Sequence, residues 1–91
     1  MRDDRFEWDD RKAATNLRDH HVSFELARFV FDDHNAIEEL DDGSDEERWV
    51  RIGLAQGEFL FVVHTQRAHR VRIISARRAE RHEQDRYYQQ G

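Results

Sequence analysis

The 91-residue chain has no cysteine, no proline and four glycines. Without cysteine it can form neither disulfide bonds nor thiolate zinc sites. It has no glycine-rich loop that would cradle phosphate and no Gly-x-Ser-x-Gly elbow, so nothing in it points to nucleotide hydrolysis or serine hydrolase chemistry. No apolar run approaches the length of a membrane span, and the charged start MRDDRFEWDDRK lacks the apolar segment of a signal peptide. We therefore expect a cytoplasmic protein that makes no membrane contact.

The composition is strongly polar, with 38% charged and 37% hydrophobic residues and a mean hydropathy of -1.05. Such values suit a disordered chain, but the apolar residues occur in periodic runs and 11% of the residues are aromatic. We expect one folded domain over residues 1–91. A core this thin often depends on a partner or an oligomer for further burial.

The net charge of -5 hides a difference in sign between the two halves of the chain. Residues 1–47 have six Lys or Arg against sixteen Asp or Glu, a net charge of -10, while residues 48–91 have nine against four, a net charge of +5. This division predicts a basic face for an anionic ligand and an acidic region for a basic partner. Two ordinary solvated faces are the alternative.

The first third of the chain predicts one short strand and two helices. Residues 6–9 alternate apolar and acidic side chains, and Asp9 or Asp10 can then cap a helix that runs to about Asp19. This first helix would have its apolar side at Ala13, Ala14 and Leu17. The second would start at the N-cap Ser23 and pack through an aromatic stripe formed by Phe24, Ala27, Val30 and Phe31.

The acidic stretch from Glu38 to Glu47 contains the turn-forming residue Gly43, which predicts an exposed loop. A calcium-binding loop is a sharper interpretation of the same carboxylates. The stretch lacks the alternating carboxylates and central glycine of an EF-hand, so we favour the plain loop.

After Arg48 the apolar residues recur with a period of two, which indicates strands over residues 49–54, 59–65 and 71–76. Short turns between them predict an antiparallel meander. In the last strand, strict alternation would place Val71, Ile73, Ser75 and Arg77 on one face. The other face would then present Arg70, Arg72, Ile74, Ala76 and Arg78. A polar, helix-prone tail follows from Glu80 to Gln90.

Three segments resemble one family in order and spacing. They are Phe6-x-Trp8-Asp9-x-x-Lys12-x-x-x-Asn16-x-x-x-His20-x-Val22-Ser23-Phe24, then Asp45-Glu-Glu-Arg48 leading to Ile52-Gly53, and Arg70-x-Arg72-Ile73-Ile74-Ser75-Ala76-Arg77-Arg78-Ala79. Together they resemble the BrnT toxins from about Phe6 to Tyr88. The chain departs from the usual family pattern at His21, where glycine is common, and at Glu80, where threonine is common. The departure at His21 leaves the geometry of that turn open. Without a Thr-x-x-Glu capping box, we expect the last helix to begin elsewhere or to fray.

The resemblance implies a RelE-like α+β fold, with an antiparallel sheet of about four strands, two N-terminal helices and a C-terminal helix. It also implies a metal-independent endoribonuclease without cofactors that inhibits translation. Its partner would be a BrnA-like ribbon-helix-helix antitoxin, in an expected heterotetramer that represses its own operon. The toxin would contact RNA as substrate and DNA only indirectly, through the antitoxin.

Metal-free RNA cleavage needs a base for the 2′-hydroxyl proton and cations that stabilise the charged phosphate of the transition state. Arginine suits the second role, because its planar fork holds two phosphate oxygens and stays charged. We expect Arg72, Arg77 and Arg78 at the catalytic site, with Arg67 and Arg70 binding substrate. The alternative is that these arginines only solubilise an exposed face of the sheet.

The same segment contains the other candidates for proton transfer. His64 is a catalytic candidate because the ordinary pKa of histidine lies near neutrality, with a half-buried structural histidine as the alternative. His69, in a turn, would be solvated. Tyr87 could stack on a base or donate a proton, or it could close the core. Glu83 could orient an arginine or pair with Arg86 on the helix surface.

The six histidines are scattered, with no His-x-x-x-His pair on a helix, so we expect no metal site. The main functional alternative to a ribonuclease is a non-catalytic module that completes a repressor complex, because the net charge of -5 is unusual for an RNA-binding protein. The acidic segment from Glu38 to Glu47 is the candidate contact for a basic part of the antitoxin, or simply a solvated loop.

Overall fold

The computed structural model of the chain describes residues 1–43 and 47–90. Its elements confirm an α+β fold with helices at both ends of the chain. In chain order they are β1 (Phe6–Glu7), α1 (Asp10–His20), α2 (Phe24–Ala27), a 3₁₀ helix (Arg28–Asp32), β2 (Ile37–Asp41), β3 (Arg48–Ala55), β4 (Glu58–Arg67), β5 (Arg70–Arg78) and α3 (Arg81–Gln89).

The sheet has five strands in the order β1-β5-β4-β3-β2. Strands β2 to β5 form the predicted antiparallel ladder with β2 added, while β1 pairs parallel with β5. The sheet therefore has one strand more than the expected four, and it is mixed rather than wholly antiparallel, because β1 is parallel to β5. A parallel pairing needs a long connection, and here α1, α2 and three further strands lie between the partners.

Strand β2 lies where an exposed acidic loop was predicted, so that prediction was wrong for Glu38 to Asp41. Its acidic residues stand opposite basic residues of β3, with Glu38 beside Arg51 and Asp41 beside Arg48. Opposite charges in directly facing positions stabilise a strand pair. The carboxylates that predicted a loop therefore favour a strand here. Residues 44–46 of the predicted loop lie outside the described residues.

Both predicted N-terminal helices form, and their caps are those expected. The Asp9 carboxylate accepts hydrogen bonds from the Arg11 and Lys12 amides, and Ser23 Oγ accepts one from the Leu26 amide. The second helix is shorter than its periodicity suggests, because it becomes a 3₁₀ helix at Arg28. The first ends at His21, which adopts the left-handed conformation at φ 59° that usually favours glycine.

The buried side of α1 is not the one that its apolar residues predict. Leu17 is 50% exposed, whereas Asn16 is 6% exposed. The Asn16 amide donates to the carbonyls of Val22 and Ala76 and accepts from the Ala76 amide. Two of these bonds tie α1 to β5 and the third closes the turn after α1, so all three satisfy a polar group that would otherwise be costly to bury.

The main core lies on the side of the sheet covered by α1, α2 and the 3₁₀ helix. We call this side the helix face. Its buried members are Phe6, Trp8, Val22, Phe24, Ala27, Val30, Ala55, Leu60, Val62, Ile73 and Ala76. A smaller cluster around Val50, Ile52 and Ala79 lies on the opposite side, where α3 packs through Tyr87 against Phe59.

A β-bulge in β5 changes which of its side chains share a face. Val63 pairs with Ser75 while the next residue, His64, pairs with Ile73, so Ile74 is the extra residue. The alternation shifts by one position at this point. Arg70 and Arg72 therefore lie on the same face as Arg77, and Arg78 lies on the other, which corrects the arrangement predicted from strict alternation.

Helix α3 begins directly after Glu80, although Glu80 occupies the position where threonine is common in the family. Glu80 is the N-cap, and its backbone amide donates to Glu83 Oε1 at 2.7 Å in a capping box. The expectation that the helix begins elsewhere was therefore wrong. Glutamate has replaced threonine without loss of the motif.

Candidate functional site

Four of the five predicted arginines share the sheet face opposite the main core. Arg67 stands opposite Arg70, Arg72 opposite Thr65, and Arg77 opposite Phe61. We call this surface, formed by Arg67, Arg70, Arg72 and Arg77, the arginine face. Helix α3 covers the end of it near Phe59, and towards the other end Thr65, Arg70 and Arg72 are partly exposed and Arg67 is exposed. The surface is therefore accessible to a ligand along β5.

Arg72 is bound to a residue that the sequence reasoning did not single out. Its Nη1 donates to Glu7 Oε2 at 2.6 Å, with 24% of the Arg72 side chain and 14% of the Glu7 side chain exposed. The parallel pairing of β1 with β5 sets Glu7 directly beside Arg72. The alternation of Phe6, Glu7 and Trp8 indicates that Glu7 points away from the core, but only the strand pairing identifies its partner.

Arg77 is held more tightly, in a two-point contact with Glu83. Nη1 and Nη2 donate to the two Glu83 oxygens, each at 2.9 Å, and the guanidinium lies 3.8 Å from the centre of the Phe61 ring. The hydrogen bonds to Glu83 raise the pKa of Arg77. Burial alone would raise the pKa of Glu83, but Arg77 and the Glu80 amide outweigh it and lower that pKa. Glu83 thus orients an arginine, one of the two roles predicted for it, whereas Arg86 pairs with Glu39.

Arg67 and Arg70 lie at the end of the β4-β5 hairpin. Arg70 Nε donates to the Asp3 carbonyl at 2.6 Å, and Arg67 is exposed. The two residues are direct cross-strand partners on one face. Like charges in that relation destabilise a sheet unless a counter-ion lies between them. This end of the arginine face is therefore suited to an anion.

Arg78 and His64 lie on the helix face and are separated by the sheet from Arg72 and Arg77. Arg78 pairs with Glu58 at 2.8 Å near the exposed end of β5. His64 is 6% exposed, packs edge-on against Phe31 and has Nε2 2.9 Å from Glu38 Oε1. That approach does not have the angle of a hydrogen bond. Burial lowers the pKa of His64, and the neighbouring Glu38 carboxylate partly offsets the effect.

Tyr87 is buried and serves the packing of α3. Its hydroxyl donates to Asp33 Oδ2 at 2.9 Å, and its ring packs against Phe59. Burial and the hydrogen bond to Asp33 raise the pKa of Tyr87. Asp33 also accepts from the Leu54 amide at 2.8 Å, so the contact fastens α3 to the connection before β2.

Within residues 1–43 and 47–90, no three histidine, aspartate or glutamate side chains come close enough together to hold a metal ion. No helix in the described part of the chain is long and apolar enough to cross a membrane.

A family model described as the ribonuclease toxin BrnT of type II toxin-antitoxin systems matches residues 8–83 of the 91. This match spans the whole of α1 through β5 and includes Arg67, Arg70, Arg72, Arg77 and Glu83. Glu7 lies one residue before its start. The search of curated proteins found no match.

Proposed function

This chain belongs to the BrnT family of ribonuclease toxins of type II toxin-antitoxin systems, and we propose that it is a metal-independent endoribonuclease that binds RNA on its arginine face. The observation that carries the proposal is the accessible row of arginines beside a carboxylate, Glu7, on a strand of the sheet. A rigid strand is a good support for catalysis, because it holds its side chains at fixed spacing.

The arginines would bind successive phosphates and stabilise the extra negative charge of the transition state. Arg72 suits the scissile phosphate, since its contact with Glu7 uses one of five N–H donors. Arg67 and Arg70 would hold the neighbouring phosphate at the end of the hairpin. Arg77 would contribute charge while remaining anchored by Glu83.

Glu7 would act as the general base. It would accept the proton of the ribose 2′-hydroxyl as the 2′-oxygen forms a bond to phosphorus, and the bond from phosphorus to the 5′-oxygen would break. The leaving oxygen would take its proton from water, giving a 2′,3′-cyclic phosphate and a 5′-hydroxyl. In this mechanism His64 and Arg78, which were predicted at the catalytic site, take no part, because both lie across the sheet from Arg72.

We further propose that the protein acts in the cytoplasm, where cutting RNA inhibits translation, and that a BrnA-like ribbon-helix-helix antitoxin restrains it in a heterotetramer. Contact with DNA would then be made by the antitoxin. Acidic side chains of β2 and of its connection to β3 are the proposed contact for a basic antitoxin segment. Among the described residues of this region, Glu38, Asp42 and Glu47 are exposed.

A non-catalytic module that completes the repressor complex is the second candidate. The pairing of Arg72 with Glu7 and of Arg77 with Glu83 favours it, because an arginine already bound to a carboxylate is partly neutralised. Such a module would bind antitoxin and leave RNA intact.

The test is cleavage of a 5′-labelled RNA by purified protein in EDTA, with Arg72→Ala beside the matched control Arg81→Ala. Arg81 is 88% exposed on α3 and pairs with Asp85. We expect products ending in a cyclic phosphate, a loss of about a hundredfold or more in Arg72→Ala and little change in Arg81→Ala. Intact RNA with the wild-type protein, or equal activity in both variants, would overturn the proposal.

A further inference from the structure

A cavity on the helix face is separate from the arginine face. It measures about 200 Å³ and is lined by Glu38, Trp49, His64 and Gln66. Pockets for drug-sized ligands measure about 300–1,000 Å³, so this one suits a smaller flat group, of the size of one nucleobase. Its walls join an aromatic side chain to polar side chains that present both hydrogen-bond donors and acceptors.

The polar groups of the cavity have unused hydrogen-bonding capacity. Glu38 is 41% exposed at its side chain, and its two oxygens approach His64 Nε2 and Arg51 Nη1. A carboxylate has about four acceptor positions, so two remain for a ligand. His64 Nε2 is buried without an aligned hydrogen-bond partner, whereas most buried polar groups in proteins have one.

The arrangement matches the edge of one nucleobase better than the others. Guanine presents two adjacent donors, N1–H and the N2 amino group, which can both bond to one carboxylate. Adenine, cytosine and uracil do not have two neighbouring donors on that edge. Single-stranded bases are commonly recognised by stacking on an aromatic ring together with hydrogen bonds to the base edge, and Trp49 provides such a ring.

The cavity approaches the arginine face only around the end of the β4-β5 hairpin. Gln66 and Arg67 are consecutive in β4, so their side chains point to opposite faces of the sheet at the end of the hairpin. A nucleotide with its base beside Gln66 and its phosphate beside Arg67 would have to pass around this end of the hairpin.

We propose that the cavity formed by Glu38, Trp49, His64 and Gln66 binds a guanine base and sets the sequence preference of the ribonuclease. The inference rests on the proposed function for its RNA substrate, while the pocket itself can be tested without cleavage. Glu38 is the residue that would distinguish guanine from adenine.

The binding test follows the Trp49 indole N–H signal of ¹⁵N-labelled protein during titration with 5′-GMP and with 5′-AMP. Trp8, which is 4% exposed in the core, gives an internal reference signal. The Trp49→Phe variant shows which of the two indole signals belongs to Trp49. We expect 5′-GMP to shift the Trp49 signal at concentrations about tenfold or more below those of 5′-AMP. Equal responses to the two nucleotides, or none, would overturn the proposal.

The specificity test uses RNA oligonucleotides that differ at one position and compares Glu38→Gln with Glu39→Gln. Glu39 is the next residue of β2, and it contacts Arg86 on the opposite face. We expect wild type and Glu39→Gln to favour the guanine substrate by about tenfold to a hundredfold in kcat/KM, and Glu38→Gln to lose that preference while still cleaving. Retention of the preference in Glu38→Gln would overturn the proposal.

The two proposals can fail separately. If RNA stays intact but 5′-GMP selectively shifts the Trp49 indole signal, the guanine pocket is supported and the ribonuclease proposal is wrong. If the protein cuts RNA with a preference for guanine that Glu38→Gln leaves unchanged, the ribonuclease proposal is supported and the proposed guanine pocket is wrong. Thermal unfolding of both variants checks that neither has lost its fold.

Discussion

Glu7 and Arg72 are 65 positions apart in the sequence, yet the Glu7 carboxylate accepts a 2.6 Å hydrogen bond from the Arg72 guanidinium. The parallel pairing of β1 with β5 creates this contact. In the proposed mechanism, this contact would give a surface of arginines a base at one defined position, held there by the two-residue strand β1.

Glu7→Gln should lower the kcat of RNA cleavage by about a hundredfold to ten-thousandfold, the usual contribution of a general base, and change KM little. The amide keeps the shape and still accepts a hydrogen bond from Arg72, but it cannot take a proton. The measurement is the single-turnover rate of cleavage as a function of pH. The variant should stay well below the wild type at every pH measured, because an amide cannot act as a base at any of them.

Asp19→Asn is the matched control, because Asp19 lies exposed on α1 beside Arg18. It removes one negative charge and should leave the rate and its pH profile unchanged. If Glu7→Gln behaves like this control, the base lies elsewhere.

Arg77→Ala and Glu83→Gln should each destabilise the fold by about 1–3 kcal/mol, a discounted value because the Arg77 side chain is 32% exposed. The pair joins β5 to the first turn of α3, and each variant leaves one partner without its counter-charge. Urea unfolding of the single and double variants measures the effect. The double variant should cost less than the two singles added together.

The same pair predicts a pH dependence of stability. The pKa of Glu83 is lowered in the folded protein, so its contribution is fully present above the unfolded pKa of about 4.3 and is lost as pH falls through the folded value. Wild type should therefore lose more stability than Glu83→Gln between pH 6 and the acid range. Parallel pH curves for the two proteins would show that the contact does not stabilise the fold.

Local patterns in the sequence predicted much of the fold but could not predict its long-range pairings. The caps at Asp9 and Ser23 and the meander of β3, β4 and β5 depend on neighbouring residues, and all of them form. The pairing of Glu7 with Arg72 depends on residues far apart. The acidic residues of β2 favour a strand only because Arg48 and Arg51 face them.

The arrangement of the candidate site could not be predicted from local sequence patterns either. The arginines were identified by residue type, but their faces depend on one extra residue, Ile74, at the bulge. Alternation alone groups Arg72 with Arg78, whereas the bulge groups Arg72 with Arg77. A bulge has no side-chain signature as clear as a cap or a turn, because any residue can occupy its unpaired position.

Tyr87→Phe should cost about 0.5–1.5 kcal/mol of stability and leave the rate of RNA cleavage unchanged. The hydroxyl bonds to Asp33 at 2.9 Å and the ring packs on Phe59, so the residue acts in the attachment of α3. Urea unfolding and RNA cleavage, measured on the same preparation, separate the two roles. A loss of cleavage above tenfold without a loss of stability would restore Tyr87 as a catalytic residue.

His21→Gly should raise the free energy of unfolding by about 0.5–1 kcal/mol. His21 adopts φ 59° at the end of α1, and the left-handed conformation costs a residue with a Cβ about 1–2 kcal/mol, part of which the greater freedom of glycine in the unfolded chain cancels. His20, the last residue of α1, is the control, because glycine inside a helix is unfavourable. We therefore expect the melting temperature to rise by about 2–6 °C for His21→Gly and to fall slightly for His20→Gly. Since both changes remove an exposed imidazole, opposite signs would identify backbone conformation as the cause, while a fall in both would mean that the His21 side chain stabilises the turn.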